Sequence, residues 1–574
     1  MSLKSRRKWI LPKKRIGVEG EGVVEYLLKS RKIENISEFL NPTISSIPSS
    51  DSLYDSKKAA KKILESIENN EKIVIHGDFD SDGICAVSLL WDFLYRDLSQ
   101  FLNKKIDVIP YIPSRIDQGY GLTEDSLNDV KELKGDLLIS VDCGVRDEEL
   151  IKKHMKSVKG KKGLKFVITD HHQPPSDLGK KLPYPLVHQM YPNHEYKYQE
   201  ICGTAVVFLL IQQIKKEVGM DCQITEDSKG LDLVALATVT DMMPLLDLNR
   251  VFVKYGLDQI TKGERKGMRY LCLRAGLNPK DINSYHLGFV IGPRINAAGR
   301  IGSPMEAVKL FVSNDDKLCQ EIVEKLESLN FERQKMTEQT KEEAREFVEE
   351  KEKAIFAVGD DWHEGVIGLV AGKFLEEYHR PVVIATQNGS TIKGSCRSVE
   401  GFNITQTLEH FSKYLERYGG HELAAGFSAK MDTIDEFRTK FIEYANKHIS
   451  DDQLISKLKI DLLLDTDSIN KNLLDELHKL EPLGYDNPRP VISITNLVVF
   501  RKTVMGKDEN HMKLLVKGSG YDMLTLVMFN VSDDREEIEK DMVIDVVGYP
   551  DINVWNGIES IQFIVKEWRF TNSK

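Results

Sequence analysis

The chain of 574 residues has no run of about 18 uncharged apolar residues, the length a helix needs to cross a bilayer. Its 7 cysteines form no CxxC pair and follow no framework spacing. A disulfide-stapled secreted domain and a zinc ribbon are therefore excluded, and a reducing, cytoplasmic setting is expected. Neither GxSxG nor GxxxxGK[ST] occurs, which removes the serine-hydrolase elbow and the P-loop NTPases. The first eighteen residues lack acid altogether and carry Lys4, Arg6, Arg7, Lys8, Lys13, Lys14 and Arg15. No apolar segment follows these charges, so they are not a secretory signal. A mitochondrial transit peptide is conceivable and a solvated basic arm is the plainer reading. The net charge of −10 does not draw the molecule as a whole to nucleic acid, so any polyanion site has to be local.

What is present is more than one core can hold, and about three or four domains are expected. Apolar spacing is helical over 23–40 and 56–67, with Asn41-Pro42 as a break between them. The run Ile73-Val74-Ile75 reads as a buried strand. It leads into His76-Gly77-Asp78-Phe79-Asp80-Ser81-Asp82-Gly83, after which a helix begins. One histidine and three carboxylates thus crowd one strand-to-helix loop. Such charge density calls for a cation, and oxygen plus imidazole ligands suit manganese, magnesium or zinc. Read alone, the loop could equally be an acidic turn in which Asp78 or Ser81 caps the helix.

The pattern recurs. The strand-like run 106–110 leads to Pro113-Ser114-Arg115 and Gly119-Tyr120-Gly121-Leu122. Another, 136–141, ends in Asp142-Cys143-Gly144, and a third, 166–169, ends in Asp170-His171-His172. Strands alternating with helical stretches indicate a parallel sheet, whose ligands sit beyond the carboxyl ends of its strands. His76, Asp80, Asp82, Asp142, His171 and His172 would then converge on one sheet edge. In the apolar stretch 233–244, Asp241 is the sole charge, and a buried carboxylate there wants a partner.

Beyond Ile301 the chain is strongly helical. From 315 to 352 it has neither proline nor glycine, and Leu318, Ile322, Leu326 and Leu329 recur at helical spacing, which reads as a helix linking two lobes. Asn330, Arg333 and Gln334 lie on it as candidate substrate contacts or as solvated surface. Two further strands, 354–358 and 381–385, flank Trp362-His363-Glu364-Gly365 and precede Ser395-Cys396-Arg397-Ser398 and Gly419-Gly420-His421. Glycines there let backbone N–H groups approach phosphate, and arginine supplies a matching fork. After Pro488, five short β-rich runs in about 85 residues fit a small barrel.

These motifs, in this order, resemble the DHH phosphoesterase superfamily and, within it, the bacterial single-strand exonucleases. The resemblance runs from about residue 28 to the C-terminus and takes in Gly292-Pro293-Arg294-Ile295-Asn296-Ala297-Ala298-Gly299-Arg300. One departure is Cys396, where the family often has glycine. The resemblance implies an α/β fold: two α/β lobes, a DHH domain and a DHH-associated domain, joined by a long helix, plus a C-terminal OB-fold β-barrel. The expected divisions are a basic arm and helix (1–45), the DHH domain (46–314), the connecting helix (315–352), the DHH-associated domain (353–450) and the barrel (451–574).

The resemblance also implies two ions, Mn2+ or Mg2+. His76 and Asp80 would hold one, Asp82, His171 and Asp241 the other, and Asp142 would bridge them. Asp78 and Asp170 would orient ligands and His172 would face the scissile phosphate. Arg115, Ser395 and Arg397 would take a 5′-terminal phosphate, with His421, Arg294 and Arg300 on the same substrate face. In the barrel, Phe500, Arg501, Lys502, Lys507, Lys513, Phe529 and Trp555 are candidates for gripping a strand, although the aromatics fit a barrel core equally well.

The expected activity is metal-dependent 5′→3′ hydrolysis of single-stranded DNA to 5′-mononucleotides in repair and recombination, by a monomer supplied with strand by a helicase and a single-strand-binding protein. Two alternatives stand beside it. One is a phosphodiesterase for short oligonucleotides or cyclic dinucleotides, which would have no use for a barrel. The other is an inactive scaffold, against which the full ligand set weighs.

Overall fold

The computed structural model describes residues 3–4, 7–12, 22–115, 118–156, 163–179, 181–191, 194–520, 522–531, 534, 536–555 and 557–571. Arg6, Lys13, Lys14 and Arg15 of the basic arm, and the side chain of Trp555, lie outside the described residues.

The first lobe is built on a parallel five-stranded sheet in the order Val108–Tyr111, Ile73–Gly77, Leu137–Val141, Lys165–Thr169, Leu186–Val187. Ile73–Gly77 and Leu137–Val141 are buried at every position, as strands covered on both faces must be, which is why they read as unbroken apolar runs. Their register pairs His76 with Ser140 and Gly77 with Val141, and Val141 in turn with Thr169. The three strands therefore end level, and the residues that follow them emerge at one edge. Helices Ser81–Asp92, Gly203–Val218 and Leu231–Thr240 pack behind that edge. The last is apolar apart from its two threonines and Asp232, which pairs with Arg265, and is buried through Thr238, the expected character of a helix enclosed by its neighbours.

The connecting helix runs over Asp316–Ala344, 29 residues, roughly 44 Å at 1.5 Å per residue. Asp315 caps it by accepting from the Leu318 N–H at 3.0 Å. The helix stops short of 352 and passes into a 3-10 turn at Arg345–Phe347. Glu346, Glu349, Glu350 and Glu352 oppose the negative end of the helix dipole there. The Arg380 guanidinium, moreover, takes the carbonyls of Glu349, Glu350 and Glu352 in a non-helical loop.

The second lobe carries a mixed sheet in the order Leu415–Gly420, Ala424–Lys430, Thr391–Arg397, Val382–Asn388, Ile355–Asp360, with only the last pair parallel. Helix Glu364–Tyr378 shares a core with Ile355, Val382 and Ile384, and helix Ile434–His448 shares one with Phe356, Val383 and Phe427. The C-terminal domain is a closed five-stranded barrel, an OB fold, of strands Ile492–Met505, His511–Lys517, Met523–Met528, Ile558–Phe570 and Val543–Trp555. Closure comes from the antiparallel pairing of the first strand with the last-named one.

The described part of the N-terminal arm is packed rather than solvated, contrary to the plainer sequence reading. Lys8–Ile10 pairs in parallel with Lys457–Lys459. The Trp9 ring lies 4.2 Å beneath the Arg569 guanidinium, and Arg7 pairs with Glu567. Helix Val23–Ser30 inserts Val23, Val24, Leu27 and Leu28 into the same core as barrel residues Leu497, Leu526 and Trp568.

Candidate metal centre and phosphate pocket

The level strand ends bring one histidine and two aspartates, His76, Asp142 and Asp170, to the same edge as the Asp78-to-Asp82 loop. Asp80 is the N-cap of Ser81–Asp92, its Oδ1 accepting from the Asp82 and Gly83 N–H groups at 3.0 and 3.2 Å. Asn296 of helix Gly292–Ile301 fixes the loop from above, accepting from both the N–H and the hydroxyl of Ser81 at 2.8 Å. Asp82 is sunk against the N-terminus of Gly203–Val218. It accepts there from the N–H groups of Gly203 (2.6 Å) and Thr204 (2.7 Å) and from the Thr204 hydroxyl (2.6 Å), where the positive end of the helix dipole favours an anion.

Asp142 follows its strand in a left-handed conformation, φ 62°, uncommon for a non-glycine residue although aspartate tolerates it better than most. Gly203 makes room for it: a Cβ there would sit 2.8 Å from both Cβ and Oδ1 of Asp142. His171 Nε2 lies 3.1 Å from Asp142 Oδ1, 3.5 Å from Asp241 Oδ2 and 3.8 Å from Asp82 Oδ2. Asp241 caps the C-terminus of Leu231–Thr240.

Three groups of potential ligand atoms lie within 4.8 Å of one another: Asp82, His171 and Asp241; Asp142, His171 and His172; and Asp78, Asp80 and Asp142. His76 belongs to none of the three. Five buried atoms, His76 Nε2, Asp78 Oδ1, Asp142 Oδ1, His171 Nε2 and Asp241 Oδ2, have no hydrogen-bond partner among the described residues. Buried polar atoms are rarely left so. Burial, reinforced by neighbouring aspartates, pushes the carboxyls of Asp78, Asp142 and Asp241 well above the ordinary range and that of Asp80 upward too. Burial lowers His76 to about 4 and lowers His171 as well, keeping neutral imidazoles available as ligands. Orphaned acceptors, crowded carboxylates and neutral imidazoles fit divalent cations.

Asp170 orients its neighbours. Its Oδ1 accepts from the His171 N–H (2.7 Å) and pairs with His172 Nδ1 (2.8 Å), while Oδ2 accepts from the Val145 N–H (2.9 Å). Burial alone would lower His172. The hydrogen bond to Asp170 and the fields of Asp170, Asp241 and Asp78 outweigh it, and His172 is pushed up to about 9. Asp78 has a different surrounding from Asp170: its free Oδ1 faces the Asp80–Asp142 group. Tyr120, whose hydroxyl is 3.0 Å from His172 Nε2, also borders the centre, although its motif gave no hint of this contact.

Beside the acids lies a group of arginines. Arg115 stacks over Phe79 at 4.9 Å and feels both Asp78 and Asp80. Arg300 is pushed down to about 10, by burial first and then by Arg115 and Arg333, with Arg397 adding to the repulsion. None of Arg115, Arg300, Arg333 and Arg397 has an ion pair within 4.0 Å among the described residues. The partners of three are neutral: Arg300 donates to Gly365 O, Arg397 to Cys396 O, and Arg333 to Asn330 Oδ1 while its buried Nε has no partner. Gly365 and Gly368, on the first turns of Glu364–Tyr378, approach Arg300 and Ser395 closely. Mutually repelling cations at the N-terminus of a 15-residue helix fit a phosphate.

Arg294 is engaged elsewhere, paired with Glu327 at 2.7 Å. His421 is exposed on the hairpin after Leu415–Gly420, its N–H closing the turn to Ala424 O. In the barrel, Phe500 is 50% and Phe529 47% exposed, so neither is core. Lys502 donates to Ile538 O at 2.7 Å, and Arg501 and Lys507 are exposed.

Fold and site together define a class: a DHH-family protein with its associated second lobe. The model of the DHH family N-terminal domain matches residues 72–238, that of the DHHA1 domain 351–447, and that of the RecJ OB domain 460–567. The chain belongs to the RecJ family. It is 32% identical over 518 residues to the single-stranded-DNA-specific exonuclease RecJ of Bacillus subtilis, covering 89% of this chain and 63% of that relative's length. It is 28% identical to the RecJ of Haemophilus influenzae, covering 96% of each. The crystal structure of Thermus thermophilus RecJ with Mn2+ superposes with a TM-score of 0.80 at 26% identity, over 99% of this chain and 80% of that one. A second, of exonuclease RecJ bound to manganese, is 30% identical with a TM-score of 0.59, over 71% of this chain and 97% of that one. No helix among the described residues is long and apolar enough to cross a membrane.

Proposed function

We propose that this chain is a divalent-metal-dependent exonuclease that degrades single-stranded DNA from the 5′ end to 5′-mononucleotides, in repair and recombination. The observation that carries the reading is Arg115. It stands between the two sites, in the field of Asp78 and Asp80 on one side and repelling Arg300 and Arg397 on the other. A terminal phosphate seated among Ser395, Arg397, Arg300 and Arg115 leaves the next phosphodiester over the aspartates, so each cut would release one nucleotide.

Asp82, His171 and Asp241 would hold one ion and Asp80 and Asp142 another, with Asp78 and His76 beside the second. Mn2+ or Mg2+, each bound in a crystal structure of Thermus thermophilus RecJ, would supply Lewis-acid charge to the phosphate and lower the pKa of the attacking water. The chain's own groups do the rest. Asp170 holds His172 by Nδ1, and Nε2 meets the Tyr120 hydroxyl, so the pair would stand together beside the reacting phosphate as hydrogen-bonding groups.

The test is a single strand labelled at either end and incubated with Mn2+. A 5′-labelled mononucleotide as first product supports the reading. Cleavage confined to dinucleotides would support the short-oligonucleotide alternative, and inertness the scaffold.

A further inference from the structure

Asn249, 4% exposed, is the third residue of helix Asp247–Lys262. Its carboxamide nitrogen donates to two backbone carbonyls, Glu200 O at 2.6 Å and Pro244 O at 3.0 Å. Neither acceptor belongs to a proposed ligand, yet each is three residues from the machinery. Pro244 follows Asp241 by three positions, and Glu200 precedes by three the Gly203 whose N–H, with that of Thr204, holds the Asp82 carboxylate. One side chain therefore spans the segment that presents Asp241 and the segment that orients Asp82. Among uncharged side chains, a carboxamide NH2 is the group that offers two donors to two carbonyls from one nitrogen. The other end of the amide, Oδ1, is buried with no partner among the described residues, which is unfavourable in itself. The double donation is what this residue type contributes here. Beyond the helix cap, the other hold on the Asp241 loop is Leu245 N–H to Tyr485 O at 2.8 Å, which runs to the segment before the barrel and not to the Asp82 side.

We propose that Asn249 is a positioning residue for the ion held by Asp82, His171 and Asp241, fixing the spacing between Asp241 and the amides that orient Asp82. It acts through backbone, without touching ion or substrate. Neither hydrogen bond reaches Asp78 or Asp80, so the larger effect falls on the ion held by Asp82, His171 and Asp241, and the other ion feels only what the contact of Gly203 with Asp142 passes on. This inference rests on the two-ion reading given above.

The test is titration of Mn2+ into the metal-free full-length chain, followed by calorimetry and by the electron paramagnetic resonance of free Mn2+, for the parent and for Asn249→Leu. The parent is expected to bind two ions. The variant is expected to bind one ion about tenfold more weakly, the lower end of what loss of a ligand-orienting partner typically costs, and the other ion with a clearly smaller change. Asn249→Ser, which keeps a single donor, should fall between them and serves if the leucine variant does not fold. Parental affinity at both sites, or equal weakening of both, would overturn the role assigned to Asn249. A parent that binds a single ion would instead overturn the two-ion reading itself.

Discussion

His171 Nε2 stands 3.1 Å from Asp142 Oδ1, and both atoms are buried without an aligned hydrogen-bond partner. Two buried polar atoms that close, with no aligned bond between them, fit a shared cation, and Asp142 and His171 each belong to two of the three ligand groups found among the described residues. Asp142→Ala should therefore cost more activity than the roughly 10–100-fold typical of losing an orienting group. Binding of single-stranded DNA, measured by fluorescence anisotropy, should remain because the arginines and the barrel are untouched. Retained hydrolysis in this variant would sink the two-ion assignment.

The crowded carboxyls give a pH dependence of definite sign. Asp78, Asp142 and Asp241 are raised by burial and then by like charges. Above the ordinary aspartate pKa of about 4, the metal-free folded state holds more protons than the unfolded chain, so its stability falls as pH rises. Ion binding needs these groups ionised and releases their protons, while His76, lowered by burial to about 4, is already neutral. The rise in Tm caused by saturating Mn2+ should consequently grow between about pH 5 and pH 8. A shift that is constant across that range would contradict the assignment.

Arg397 tests the phosphate pocket separately from the metal centre. Its guanidinium is lowered by burial and has no carboxylate partner among the described residues. A charge-assisted hydrogen bond contributes about 1.5–3 kcal/mol, so Arg397→Ala should lower kcat/KM on a 5′-phosphorylated strand by roughly 10–100-fold. A 5′-hydroxyl strand should be affected much less. Equal losses on both would place the terminal phosphate elsewhere.

The strand ends were legible because a buried parallel strand is an apolar run, and an acid or histidine just beyond it marks the ligand edge without any knowledge of tertiary contacts. The five barrel strands were legible by the change of period. Long-range relations were not. A three-residue strand, Lys8–Ile10, has no periodicity, and only its pairing with Lys457–Lys459 gives it a role. Arg333 lies on a helix face that reads as solvated, and its place among Arg300 and Arg397 depends on where the connecting helix passes. Arg294 sits in the same motif as Arg300, but one helical turn and a half away it meets Glu327 instead. The environment of Asp78, open to the ligand group where Asp170 is saturated with donors, follows from local loop geometry that spacing does not encode.

Gly203→Ala isolates the seat of Asp142. Alanine favours a helix by about 1 kcal/mol over glycine in a helix interior, but here its Cβ would lie 2.8 Å from Asp142 Oδ1. Asp142 would have to move. The expected result is weaker Mn2+ binding by calorimetry, with helix content by circular dichroism unchanged; parental Mn2+ affinity would show that the close approach is not needed.

The barrel is better tested by substitution than by removal. Deleting everything after Asp451 would strip four of the five hydrogen bonds of the buried Arg250 guanidinium, those to Lys479, Leu480, Glu481 and Pro482, leaving only Phe39 O. It would also bare the apolar face of Val23–Ser30. Losses of binding and of cleavage would then be mixed with unfolding. Phe500 and Phe529 are half-exposed and carry no such burden. Stacking on an aromatic contributes about 1–3 kcal/mol per base, so Phe500→Ala should weaken binding of a long single strand by roughly 5–100-fold. Cleavage of an oligonucleotide too short to span from the arginines to the barrel should proceed at the parental rate. Equal losses on long and short strands would mean that Phe500 acts on the fold and not on the DNA.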